Sequence, residues 1–166
     1  IYLSDSELKR IADSRAVVVH CPTSNSFLGS GIYDMARVNS AGVLTVMGTD
    51  VGAGTSFSMF QTMGESYKVQ QIKGYMMPVM ETFYKATLGS AYALHLEKEI
   101  GSLLPGQFAD FIVVDYASTI PQRLRMDYLE KLGRLTIEQK LFGLQTMADD
   151  RAIKATFVAG SCVHEL

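Results

Sequence analysis

Val43-Leu44-Thr45-Val46-Met47-Gly48-Thr49-Asp50-Val51-Gly52-Ala53-Gly54-Thr55 is the stretch whose reading decides the fold. Its first part is a short apolar run without polar alternation, the pattern of a strand buried on both faces, as in a parallel sheet. The run ends in Thr49-Asp50 and passes into a tight, glycine-rich loop. Phe57, Phe60, Met63 and Tyr67 then recur at helical spacing, with Met59 beside them and Ser56 as the expected cap. The order is strand, loop, helix. The same order stands upstream. Ser4-Asp5-Ser6-Glu7 is a capping box, and Leu8, Ile11 and Ala12 give the helix an apolar face that ends near Ser14. A β-branched run over 16–20, closing on His20, predicts another buried strand. Residues 21–31 read as loop, and 32–40 as a short helix stopped by Gly42. Alternating helices and strands imply α/β architecture with parallel strands. Both strands hand over to polar loops at their C-terminal ends, which is where (β/α)8 barrels carry their chemistry.

The texture changes further along. Pro78 opens a helix expected over 79–92, and Pro105-Gly106 centres a turn within 101–107. A strand is expected over 108–115, an irregular stretch over 116–125, and helical segments broken by Gly133 over 126–148. Residues 153–166 read as a hairpin turning at Ala159-Gly160.

Bulk properties exclude several classes. The 166 residues are 48% apolar and 19% charged, which suits a globular chain with a real core. A net charge of −2 and the lack of a Lys/Arg stripe give no case for nucleic acid. No apolar run approaches the ~20 residues a membrane helix needs, and no signal peptide is read at the start. Cys21 and Cys162 lie far apart with no C-x-x-C spacing, so a reduced, cytoplasmic setting is expected, with each thiol a small buried hydrophobe. The chain opens Ile1-Tyr2-Leu3, without Met, as if cut from something longer.

Asp50 is the strongest chemical candidate. A carboxylate ending a buried strand must be paired, hydrogen-bonded or metal-bound. There it can ligate a metal and take a proton from metal-activated water. It can equally cap the following helix, and position alone leaves the two readings level. Gly52 and Gly54 would let backbone approach a ligand. Such a loop can in principle cradle a phosphate, but no Lys follows, so the P-loop pattern is absent. His20 ends the other strand and can ligate metal, touch substrate or sit satisfied in the core. Thr23, Ser24 and Asn25 can bond a ligand or brace their loop. Tyr67 and Tyr75 read as core, and His95 and His164 have no partners at metal spacing.

The motifs carry more than the positions do. His20-Cys21-Pro22-Thr23-Ser24-Asn25, then Leu28 and Gly31, then Gly48-Thr49-Asp50 after a strand, resemble barrel strands seven and eight of the amidohydrolase superfamily. Gly101-x-Leu103-x-Pro105-Gly106-x-x-Ala109-Asp110-Phe111 resembles that superfamily's return into its small β-sandwich domain. Gly52 to Met59, with Glu65-x-Tyr67-Lys68-Val69 downstream, is similar to the guanine deaminases within it. The resemblance implies an α/β fold made of the last strands and helices of a (β/α)8 amidohydrolase barrel plus the C-terminal part of its β-sandwich domain. It divides the chain into residues 1–100, barrel, and 101–166, sandwich strands with an intervening helical region.

The activity implied is hydrolysis of guanine to xanthine and ammonia, with Zn2+ as cofactor. Asp50 takes the place of the strand-eight residue that binds metal and shuttles the proton. His20 is not a usual zinc ligand there, and its expected role is a substrate contact at the pocket wall. The family's H-x-H pair and middle-strand histidines do not occur among the 166 residues. A histidine is expected just upstream of Ile1, and the chain by itself is expected to be inactive. The implied partners are the N-terminal part of the same enzyme and a second copy in a homo-oligomer, a dimer. The alternatives are a related aminohydrolase of cytosine, an adenosine derivative or a triazine, and a non-catalytic remnant that associates with itself.

Overall fold

The computed structural model describes residues 2–166. Helix α1 (Asp5–Ser14) begins at the expected capping box, with the Ser4 hydroxyl and the Glu7 carboxylate each bonding the other's backbone N–H. Strand β1 (Val18–His20) pairs in parallel with β2 (Thr45–Met47), His20 lying opposite Met47. Between them run α2 (Pro22–Leu28) and α3 (Met35–Ser40). After β2 come α4 (Met59–Ile72), α5 (Val79–Ala86) and α6 (Leu88–Ala93). Strand β3 (Phe111–Val114) is followed by α7 (Ile120–Lys131), α8 (Ile137–Met147), β4 (Ile153–Val158) and β5 (Ser161–Glu165). These three strands form an antiparallel sheet in the order β3-β4-β5.

Several expectations change. The 21–31 stretch is mostly helix, because Pro22 sits at the first helical position with its φ already set and Gly29 closes the end in the left-handed region. Helix α3 starts at Met35 instead of Ile32, with Asp34 as its cap. Residues 79–92 form two helices, divided where Thr87 leaves helical geometry at φ −131°. The 116–125 stretch holds the start of α7, where Thr119 and Gln122 make a second capping box that spans Pro121. Strand β1 is buried on one face only: Val18 and His20 are covered, while Val19 is 51% exposed. The cap of α4 is Ser58, and the Ser56 hydroxyl accepts from the Ser58 N–H at 3.0 Å. Phe57 therefore precedes the helix and is exposed.

One apolar cluster joins the layers. Leu8, Val18, Tyr33, Met35, Val38, Val43 and Met47 meet Phe60 and Met63 of α4, and Leu144, Ala148 and Ala152 from the C-terminal part. Helices α4 and α8 approach closely where Gly64 faces the Gln145 carbonyl, and a Cβ there would lie 2.8 Å from that oxygen. The hairpin forms as expected, with Ala159 and Gly160 both at positive φ, 49° and 78°. Among the described residues no helix is long and apolar enough to cross a membrane.

Candidate active site

The parallel register brings the C-terminal ends of β1 and β2 side by side. The Gly48 N–H donates to the His20 carbonyl at 3.1 Å, so the pairing runs to the strand tips. Side chains alternate between the two faces of a strand. One face here is closed by helices and carries Val18, Met47 and the Tyr33 ring. The other carries Val19 and, beyond the strand end, Cys21. A Cβ at Gly48 would meet Val19 Cγ1 at 2.8 Å and Cys21 Sγ at 3.5 Å.

Asp50 stands at the rim of this open face. It is exposed, and among the described residues its carboxylate accepts no hydrogen bond. It lies close enough to Cys21 to oppose ionisation of that thiol, which burial pushes up first. Asp50 does not cap α4, whose first turn begins at Met59 behind Ser58. The cap alternative, level with catalysis on position alone, thus loses its geometry. The backbone at Asp50 is left-handed, φ 49°, a region that non-glycine residues seldom adopt. Its carbonyl accepts from the Ala53 N–H at 3.1 Å and also from the Gly54 N–H. The glycine-rich loop therefore folds back on Asp50 itself. Gly54 has to lack a side chain, because a Cβ would overlap the Thr49 carbonyl oxygen.

His20 goes elsewhere. It is 1% exposed, and its ring stacks on Tyr33 at 4.8 Å between centroids. That places the imidazole in the helix-covered layer, on the face away from Val19 and Cys21. Burial pushes its pKa down to about 4, and the Lys85 ammonium adds to the shift. Among the described residues neither ring nitrogen has a hydrogen-bond partner. Tyr33 in turn shares a hydrogen bond of 2.8 Å with the Thr45 hydroxyl. The structure therefore does not bring His20 and Asp50 together.

Of the three polar residues after Pro22, Thr23 ties its segment to the loop beyond β2. Thr23 and Ser24 are buried in the first turn of α2, and the Thr23 hydroxyl donates to the Thr49 carbonyl at 3.4 Å. Glu65 accepts from Ser26 at 3.0 Å and pairs with Lys68 at 2.9 Å, tying α2 to α4. Lys68 and Ser26 hold the Glu65 carboxyl below its usual range, Lys68 more strongly. A groove of about 590 Å³ between α2, α4 and the end of α8 is lined by Thr23, Thr55, Glu65 and Lys68, and by neither Asp50 nor His20. Tyr67 packs edge-on against Phe142 at 5.2 Å, and the Tyr75 hydroxyl donates to Glu81 at 2.5 Å. His95 and His164 are exposed. Cys162 is exposed as well, not buried, because no layer covers β5. Lys85 went unremarked in the sequence, yet it is buried on α5 and donates to the Thr45 carbonyl at 2.9 Å. Its lysine identity held no signal of that. Among the described residues, no three His, Cys, Asp or Glu side chains gather where they could hold a metal.

Known proteins share this fold. The pattern of the amidohydrolase family matches residues 1–163. Guanine deaminase of Escherichia coli (strain K12) is 42% identical over 165 residues, which are 99% of this chain and 36% of that protein. The solved E. coli guanine deaminase superposes with a TM-score of 0.93, over 100% of this chain and 38% of that one. A guanine deaminase from C. acetobutylicum, solved with bound guanine in its active site, is 26% identical at a TM-score of 0.80, over 99% of this chain and 38% of that one. An adenosine deaminase from Xanthomonas campestris with bound zinc is 27% identical at 0.76, over 96% and 34%. The chain thus spans little more than a third of the length of these relatives. The α/β chain, with its parallel strand pair and strand-end carboxylate, has an amidohydrolase fold and belongs to the amidohydrolase family.

Proposed function

We propose that the protein hydrolyses guanine to xanthine and ammonia, with Asp50 as the carboxylate that both faces the metal and carries the proton. The observation behind this is the Asp50 side chain: exposed at the tip of β2, free of hydrogen bonds among the described residues, and held by a loop that bonds only its backbone. A carboxylate in that state fits one ligand position of a divalent metal, and zinc accepts such an oxygen. His20 does not fit as a further ligand, because its ring is stacked on Tyr33 in the covered layer. For the same reason the expected substrate contact from His20 forms no part of the proposal. The remaining ligands come from the part of the protein outside residues 1–166. We take residues 1–100 as the barrel portion and 101–166 as the sandwich-bearing segment.

Zinc, when bound, lowers the pKa of water from ~15.7 to about 7 and so supplies hydroxide near neutrality. Asp50 would accept the proton released from the attacking water and deliver it toward the ring and the departing amine. Its open position lets the carboxylate reach both. The open face beside it carries the exposed Val19 next to the bare backbone of Gly48, an apolar surface on which a flat heterocycle would lie. Self-association into a dimer belongs to the same proposal.

The test is the full-length protein with guanine, followed by xanthine absorbance and ammonia release, beside Asp50→Asn. Turnover that a chelator abolishes and zinc restores, and that Asp50→Asn loses by at least ~100-fold, is the expected result. Xanthine production unchanged in Asp50→Asn would refute the role of Asp50. A second reading, deamination of an adenosine derivative, is favoured by the likeness to the X. campestris adenosine deaminase. Turnover of an adenosine but not of guanine would establish it.

A further inference from the structure

We propose that Thr23 and Gly54 are positioning residues for Asp50, acting through the Thr49 carbonyl oxygen. The proposal rests on the reading of Asp50 as the metal-facing carboxylate. Four observations converge on the two peptide groups that flank the Asp50 Cα. The Thr23 hydroxyl, on a residue only 8% exposed, donates to the Thr49 oxygen at 3.4 Å from the first turn of α2. Gly54 passes so close on its own side that any Cβ would overlap the same oxygen and lie 2.9 Å from the Asp50 oxygen. The Ala53 and Gly54 N–H groups converge on the Asp50 carbonyl. Asp50 itself is left-handed at φ 49°.

The physical logic follows from that last angle. A non-glycine residue left to itself turns out of the left-handed region. If Asp50 relaxed to an extended or helical φ, its Cα–Cβ bond would swing and its carboxylate would leave the rim beside Cys21. Rotation of the Thr49–Asp50 peptide is what such a change requires. The Thr23 hydroxyl ties that peptide's oxygen to α2, and the bare Gly54 backbone lets the loop close over it. α2 is itself anchored to α4 by Ser26 and Glu65, so the hydroxyl is fixed from outside the loop. Sequence separation hides the contact, since Thr23 and Thr49 are 26 residues apart. The carboxylate is thus aimed by groups that never touch metal or substrate.

The experiment uses the full-length protein and four variants: Thr23→Val, Thr23→Ser, Gly54→Ala and Asp50→Asn. Each is read three ways: kcat and KM for guanine, zinc affinity by competition with a chelating dye, and the thermal midpoint. Thr23→Val removes the hydroxyl at nearly constant shape. It is expected to lower kcat and zinc affinity each about fivefold, the worth of one ordinary hydrogen bond, with KM unchanged. Thr23→Ser keeps the hydroxyl and is expected to restore both. Gly54→Ala is expected to lower both by more than Thr23→Val, on the order of tenfold or beyond, since the loop can no longer close over the Thr49 oxygen. Gly54→Ala also serves if Thr23→Val fails to fold. Wild-type kcat and zinc affinity in Thr23→Val or Gly54→Ala, beside an inactive Asp50→Asn, would overturn the positioning role and leave Asp50 in place. Losses in Thr23→Val that follow only a lowered thermal midpoint, and that Thr23→Ser does not restore, would overturn it too. Full turnover and zinc affinity in Asp50→Asn would remove the reading beneath it.

Discussion

Acid should destabilise this fold through His20, and the size of the effect follows from where the ring lies. His20 is 1% exposed and stacked on Tyr33, with neither nitrogen bonded among the described residues. Its pKa is about 4 in the folded protein, against ~6.5 in an unfolded chain. The folded pKa is the lower one, so between these values the unfolded chain binds more protons. Stability therefore rises with pH through that window. The contribution of the neutral ring is complete above pH ~6.5 and is lost progressively as the pH falls toward about 4. The full span is worth on the order of 3 kcal/mol, a large share of a typical 5–15 kcal/mol stability.

Urea unfolding at pH 7, 6, 5 and 4.5, in wild type and in His20→Phe, measures it. Phe keeps the stack on Tyr33 and cannot titrate. It also removes two buried nitrogens that are unpaired among the described residues, so at pH 7 it should be neutral or slightly stabilising. Carboxyls held below their usual range, such as Glu65, lose stability in acid too, but equally in both proteins. The difference between the two curves isolates the imidazole. Curves that stay parallel from pH 7 to 4.5 would show that His20 is not a buried neutral ring.

Other outcomes are equally specific. Gly64→Ala should cost about 1–3 kcal/mol by chemical denaturation, because its Cβ would press on the Gln145 carbonyl that brings α8 onto α4; an unchanged midpoint would mean the helices can part at no cost. Ala159→Asn should stabilise by up to ~1 kcal/mol, since Asn tolerates the left-handed φ that Ala159 is made to adopt there. Residues 1–166 expressed by themselves should convert no guanine, because Asp50 has no second and third metal ligand among the described residues; xanthine formation by that chain would contradict the assignment.

Much of this was legible from local pattern. The capping box at Ser4, the Ala159-Gly160 hairpin turn and the Gly133 break rest on interactions within a few residues, which composition and spacing report directly, and the two strands show in their apolar runs, although their pairing joins residues as far apart as Val18 and Thr45. Asp50 stood out because a carboxylate at the end of an apolar run is chemically conspicuous, and the flanking motifs then supplied the family. Helix α2 was obscured because Thr, Ser and Asn are turn formers by composition. The decisive signal was the spacing of Pro22 and Gly29, a start and a stop one helix apart.

Tertiary structure alone decided which face each strand-end residue takes. Alternation places Val18 and His20 together and Val19 on the other side, but nothing in the period says which side the helices will cover. That depends on Tyr33, Met35 and α4 packing from distant parts of the chain, and it turned His20 into the core and left Asp50 at the open rim. The Thr23–Thr49 contact and the reach of Lys85 to β2 belong to the same class. Each joins residues 26 to 40 positions apart, and a contact of that kind exists only once the chain has folded back on itself.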